Sequence, residues 1–291
     1  MFSMLHFVTR RYSRCYKEFG GDVMIANGNL KYIDAHIHLE QYNEQQCETI
    51  IQRSLQQSVN HIVAVSMDLA SSKRTYELVQ KYSEVIFPAY GYHPEQPLPT
   101  LQEEQQLMNW MLDRHDKKQR FAVGEIGLPY YSALEAKGQG KEFAMEPYIA
   151  FLERMFAFAK AVERPVVLHA VYEDASIACD LLEKHQIEKA HFHWFKGPMD
   201  TIKRMIENGY YISITPDVFV ESEIRELVRV YPLGQMMVET DGPWPFEGPF
   251  AGKMTEPSMV IDVVNEIARL KGISTQIVAE AVYNNTLRLY L

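Results

Sequence analysis

Eight short apolar runs, each followed by a longer segment of helical periodicity, constrain the fold of this chain more than any other feature. They are "KYIDAHIH" at 31–38, "HIVAVS" at 61–66, "VIFPAYG" at 85–91, "RFAVGE" at 120–125, "PVVLHA" at 165–170, "KAHFHW" at 189–194, "YYISIT" at 210–215 and "QMMVET" at 235–240. Runs of this length rich in β-branched and aromatic residues read as strands. Between them lie segments such as "EPYIAFLERMFAFAKAVE", where Phe151, Met155, Phe158, Ala159 and Val162 recur at helical spacing and mark a core-facing stripe. Parallel strands need crossover connections, and helices supply them. Eight such units predict an α/β fold, a (β/α)8 TIM barrel with its active site at the carboxyl ends of the strands.

Composition narrows the function classes. With 47% hydrophobic and 23% charged residues the chain reads as an ordinary globular protein. No apolar run approaches the ~20 residues that span a bilayer, so no membrane partner is expected. A net charge of -9 disfavours a broad basic track along nucleic acid, but leaves room for a small phosphate-bearing substrate held by metal ions. Cys15, Cys47 and Cys179 form no CxxC pair, which speaks against a disulfide framework or a thiolate zinc site and points to the reducing cytoplasm. No feature sets an oligomeric state. Residues 1–23 suit neither a secretory signal nor the body that follows, and Gly20-Gly21-Asp22 can be encoded by a ribosome-binding-like sequence just ahead of Met24. The expected organisation is a non-native or disordered extension over 1–23 and a single barrel over 24–291. Two long loops are expected at 129–142 and 242–257.

In a strand, residues i and i+2 share a face, so His36 and His38 project together from the first strand. Alone, an HxH pair fits packed histidines as well as metal ligands. Glu125, His169 and His193 lie near the ends of strands four, five and six, and Asp241 follows strand eight. In a closed barrel these six side chains converge at the mouth. Imidazoles and carboxylates in that number can hold one or two divalent metal ions, Mg, Mn or Zn, with one carboxylate bridging.

The same residues resemble those of the TatD-type metal-dependent hydrolases, within the amidohydrolase-like barrels. "DAHIHLE" is similar to their first-strand signature, "GYHPE" at 91–95 to their GxHP motif and "GEIGL" at 124–128 to their glutamate motif. "PVVLHA", "HWFKG" at 193–197 and "ETDGPW" at 239–244 resemble the third-histidine, fourth-histidine and aspartate motifs, and "GKMTEP" and "NNTLRLYL" also fit. The likeness covers about residues 31–291 in the family's order. It implies His36 and His38 on one metal, Glu125 bridging, and His169 and His193 on the other. Asp241 would bind metal and take a proton from the attacking water, and His93 would meet a substrate phosphate or the leaving group. As a plain loop residue, His93 would instead bond the backbone beside Pro94. His191 reads as a packed group or one that orients a ligand, and Asp34 and Glu239 as residues that orient a histidine or serve a core hydrogen bond. His6, His61, His115 and His185 carry no assigned role.

The family likeness implies a divalent-metal-dependent hydrolase that cleaves phosphodiesters, a deoxyribonuclease acting from an end of DNA, with a nucleic acid or nucleotide as substrate. Two positions depart from the pattern. Pro129 stands where the glutamate motif usually continues to aspartate, and Val171 where an arginine usually follows the third histidine. Without that guanidinium a phosphate loses a bidentate partner. The alternative is therefore a two-metal hydrolase of carboxylic esters, lactones or amides with no nuclease activity. Lys196 and Lys253 are spare loop cations, and Trp194, Trp244 and Phe246 can stack on a base or fill an apolar pocket. A barrel that has lost catalysis and serves as an interaction subunit is a third reading, opposed by the joint presence of Glu125 and Asp241.

Overall fold

A computed structural model describes residues 30–291, so the extension proposed at 1–23 lies outside the described residues. The strands are β1 (Tyr32–Ile37), β2 (Val59–Ala64), β3 (Ile86–Tyr90), β4 (Ala122–Gly127), β5 (Val166–His169), β6 (Ala190–Phe192), β7 (Tyr211–Ile214) and β8 (Met236–Val238). They pair in parallel and in sequence order, each with the next. β8 meets β1 across the remaining seam just beyond the end of β8: the Asp241 N–H donates to the His36 carbonyl at 2.9 Å and the His38 N–H to the Gly242 carbonyl at 2.8 Å. The eight parallel strands and their helices form the expected (β/α)8 barrel.

The packing follows from the alternation in sequence. Ala35, Val63, Phe87, Ala122, Val167 and Met237, from six different strands, meet in one apolar cluster with Leu289 and Tyr290 of the last helix, Thr275–Tyr290. Side chains of non-adjacent strands can touch in this way inside a closed sheet. A larger layer joins the outer strand faces to the helices, with Phe151, Leu152, Met155 and Phe156 of helix Glu146–Ala161 buried in it. Most of the helical stripe read from the sequence is therefore core; Phe158 is only partly buried against it. Among the described residues no helix is long and apolar enough to cross a membrane, and Cys47 and Cys179 are free and buried.

One expectation about local structure fails. The segment read as a long loop at 129–142 contains the helix Tyr130–Gly138. It buries none of its residues, so it lacks the amphipathic stripe that reveals a helix in sequence. Ala133, Leu134, Glu135, Ala136 and Lys137 are strong helix formers nonetheless. Helices Glu44–Gln56, Leu69–Lys81 and Leu101–Asp116 begin with their own side-chain caps, Asn43, Asp68 and Thr100, whereas Pro129 gives Tyr130–Gly138 none. The segment 242–257 is largely irregular, with one short turn of 3-10 helix at Gly248–Phe250.

Candidate metal centre

The carboxyl ends of the strands bring the six predicted ligands into one volume, centred on Glu125. This carboxylate is fully buried on β4 and turns its two oxygens toward different histidines. Oε2 lies 3.1 Å from His36 Nε2 and 3.2 Å from His38 Nε2, both reached from β1 and its end. Oε1 lies 2.8 Å from His193 Nε2, 3.0 Å from His169 Nδ1 and 3.3 Å from His93 Nε2. Asp241 Oδ1 joins the first side, 3.3 Å from His36 Nε2 and 3.7 Å from His38 Nε2. The backbone is shaped for this convergence. Gly127 has φ +158, and a Cβ there would sit 1.9 Å from the His169 carbonyl oxygen, so only glycine lets β4 and β5 approach at the mouth. Asp241 at φ 46 and Trp194 at φ 39 hold left-handed conformations immediately after strands that carry the site.

His36, His38 and Asp241 are spaced to share one cation, and so are His93, Glu125 and His169; His193 also falls in a set with His36 and Glu239. A chemical test of fit comes from buried polar atoms that face one another across the site without hydrogen bonds: His36 Nε2, Glu125 Oε2 and Asp241 Oδ1. Buried polar groups are normally paired. A concentration of unpaired donor atoms around one carboxylate fits divalent ions bound by imidazole and carboxylate.

Electrostatics in the metal-free protein point the same way. Burial works to neutralise Glu125, but His193, His93 and His36 hold its carboxyl well below the usual range. Burial likewise opposes charge on His193, which Glu125 and Glu239 hold well above the usual imidazole range. Burial is also outweighed at His38, where Glu125 and then Glu40 lift the pKa to about 10. The sign follows directly. His38 stabilises the metal-free fold fully below its unfolded pKa of about 6.5, and that contribution disappears as the pH rises through about 10. Metal must displace such protons, so uptake at pH 8 is expected to release about one or more protons per protein. Titration calorimetry in two buffers of different ionisation enthalpy reads this as a difference in heat; equal heats would refute it.

The other histidines sort by their partners. The Glu95 N–H donates to His93 Nδ1 at 3.1 Å, which leaves the Nε2–H facing Glu125, and burial lowers the His93 pKa. His93 therefore points inward with its Nε2–H toward Glu125. His191 is fully buried between Tyr290 Oη and Ser213 Oγ, each at 2.5 Å. Ser213 donates to Glu239 Oε2 at 2.5 Å, and Glu239 Oε1 accepts from the Trp194 N–H at 2.7 Å and lies 3.5 Å from His193 Nδ1. A buried hydrogen-bonded chain thus runs from the closing helix through His191 and Ser213 to Glu239, beside His193. Glu239 faces a histidine ring, but Asp34 does not: its carboxylate accepts from the backbone and hydroxyl of Thr240 and from the His36 N–H, tying β1 to the end of β8.

Two carboxylates beside the site were not singled out in the sequence. Glu40 Oε1 lies 3.2 Å from His38 Nδ1, and Glu95 Oε1 lies 3.4 Å from His169 Nε2. Each stands two residues after a motif histidine, in "HIHLE" and "HPE", and that repetition was the available signal. Of the loop residues, Lys196 is paired with Glu221 at 2.6 Å, Phe246 is buried against Trp194, and Trp244 is exposed.

Comparison with known proteins agrees with this geometry. The family model "TatD related DNase" matches residues 33–291. An uncharacterized metal-dependent hydrolase of Haemophilus influenzae is 35% identical over 257 residues, covering 88% of this chain and 98% of that protein. The human protein named deoxyribonuclease TATDN3 is 26% identical, covering 89% of this chain and 94% of its own. The solved structure of the TatD homologue YJJV from Escherichia coli superposes with a TM-score of 0.76 at 24% identity, covering 90% of this chain and 99% of that one, a likeness that bears on fold. The chain belongs to the TatD-related DNase family of metal-dependent hydrolases.

Proposed function

We propose that this protein is a two-metal phosphodiesterase, a deoxyribonuclease that removes nucleotides from a DNA end. The observation that carries the reading is the double-sided approach to Glu125, whose two oxygens face separate histidine sets. His36, His38 and Asp241 would hold one divalent ion, His169 and His193 the other, and Glu125 would bridge. Bound ions of this kind lower the pKa of water and neutralise charge on the attacked and departing oxygens. The chain's own groups do the rest. Asp241 is only slightly exposed, its Oδ1 lies 3.3 Å from His36 Nε2, and its carboxylate would be the group to accept the proton of the attacking water. His93 presents its Nε2–H to the same volume, suited to a phosphate oxygen or the departing oxygen. The unpaired Cys47 and Cys179 suit the reducing cytoplasm.

A second reading, hydrolysis of a carboxylic ester, lactone or amide on the same centre, is favoured by the charge at the mouth. Val171 is buried in place of a guanidinium, and Lys196 is neutralised by Glu221. Burial, then the charges of Glu221, Glu95 and Asp217, push the Tyr131 hydroxyl up to about 12. A generic phosphodiester, single-stranded and duplex DNA, and a panel of carboxylic esters, each with Mg, Mn and Zn, separate the two readings. Metal-dependent diester and DNA cleavage is expected; turnover of esters alone would remove the nuclease reading.

A further inference from the structure

The geometry points to Glu95 as a positioning residue that turns His169 Nδ1 toward the metal while capping a neighbouring helix in place of Pro129. The inference rests on the two-metal reading of the site. Three observations meet at this one carboxylate.

First, His169 Nδ1 faces Glu125 Oε1 at 3.0 Å and His193 Nε2 at 3.2 Å, so Nδ1 is the nitrogen presented to the centre. The opposite nitrogen, Nε2, is buried and has no hydrogen bond, and the carboxylate that approaches it is Glu95, at 3.4 Å. That separation is slightly long for a hydrogen bond and closes with a small turn of the ring. A ligating histidine commonly donates its other N–H to a carboxylate, which fixes both tautomer and orientation.

Second, Glu95 is itself held in place. Its Oε1 accepts from the Tyr131 N–H at 2.8 Å, and its Oε2 accepts from the Ser132 N–H at 2.8 Å and the Ser132 hydroxyl at 2.6 Å. These are open donors of the first turn of helix Tyr130–Gly138, whose preceding residue, Pro129, makes no side-chain cap. The cap is supplied from 36 and 37 residues earlier in the chain, by a carboxylate at the positive end of the helix.

Third, the Glu95 backbone N–H fixes the tautomer of His93 through Nδ1. One residue therefore joins the loop after β3, the helix after β4 and the histidine ending β5.

The test is titration of the metal-free protein with Mn or Zn, followed by calorimetry, alongside thermal unfolding. Wild type should take up two ions. Glu95→Gln should weaken the step that uses His169 by about 10- to 100-fold, leave the step that uses His36, His38 and Asp241 within about twofold, and lower the unfolding midpoint. Adding Pro129→Asp to that variant gives the helix a cap residue of its own, and also covers the case in which the single variant folds poorly. The double variant should regain the midpoint without regaining the metal affinity. Two unchanged binding steps, two equally weakened steps, or recovery of affinity together with the midpoint would each overturn the role given to Glu95. A wild-type protein that binds only one ion would instead overturn the two-metal reading.

Discussion

Asp241→Asn is expected to lower kcat/KM by about 10²- to 10⁴-fold, the range typical of losing a general acid or base. At ~1.4 kcal/mol per tenfold, that is roughly 3–6 kcal/mol of barrier. The substitution keeps size and an oxygen donor, but removes the negative charge and with it the ability to accept a proton. The backbone bond from the residue-241 N–H to the His36 carbonyl survives, so the φ 46 conformation and the seam it closes should persist. Metal affinity should weaken at the step that uses Asp241, and turnover should stay collapsed when added metal saturates that step. Measuring both on the same preparation separates proton transfer from simple metal loss, and undiminished turnover would end the proposed role of Asp241.

Glu125→Gln should act on the whole centre at once. Asp241 faces only the His36 and His38 side, whereas Glu125 faces both histidine sets. Loss of its charge should weaken both binding steps and abolish measurable hydrolysis. The metal-free protein should suffer as well, because protonated histidines around Glu125 would lose their buried counter-charge. Removing one partner of a buried ion pair costs about 3–5 kcal/mol. The histidines can escape that penalty by losing their protons, so the fall in unfolding midpoint should be larger at pH 6 than at pH 9. A variant with wild-type metal stoichiometry and an unchanged midpoint would show that Glu125 is not the hinge of the site.

Six ligand candidates could be read from the sequence because they obey a rule of position. His36, His38, Glu125, His169, His193 and Asp241 sit at or just beyond the carboxyl ends of parallel strands, and strands announce themselves by their apolar runs. Residues that act from loops obey no such rule. Glu95 and Glu40 reach their histidines through turns whose path is set by tertiary packing, which periodicity does not encode. Helix Tyr130–Gly138 escaped notice for a related reason: it buries nothing and borrows its cap from Glu95. Asp34 illustrates the converse. Strand alternation gave it the facing of His36, but β1 is irregular between Asp34 and Ile37, and its carboxylate goes to Thr240 instead of a ring.

The seam between β1 and β8 has a consequence for how this protein comes into being. His36 and Asp241 are separated by about 200 residues, a strongly non-local contact. During synthesis the first two imidazoles leave the ribosome long before the aspartate that completes their set. On the proposed reading, a growing chain would therefore offer metal only a half-built cradle until its eighth strand docks. An ion held by His36, His38 and Asp241 would, on the two-metal reading, also act as a clasp between the first strand and the last, beside the backbone bonds that join them.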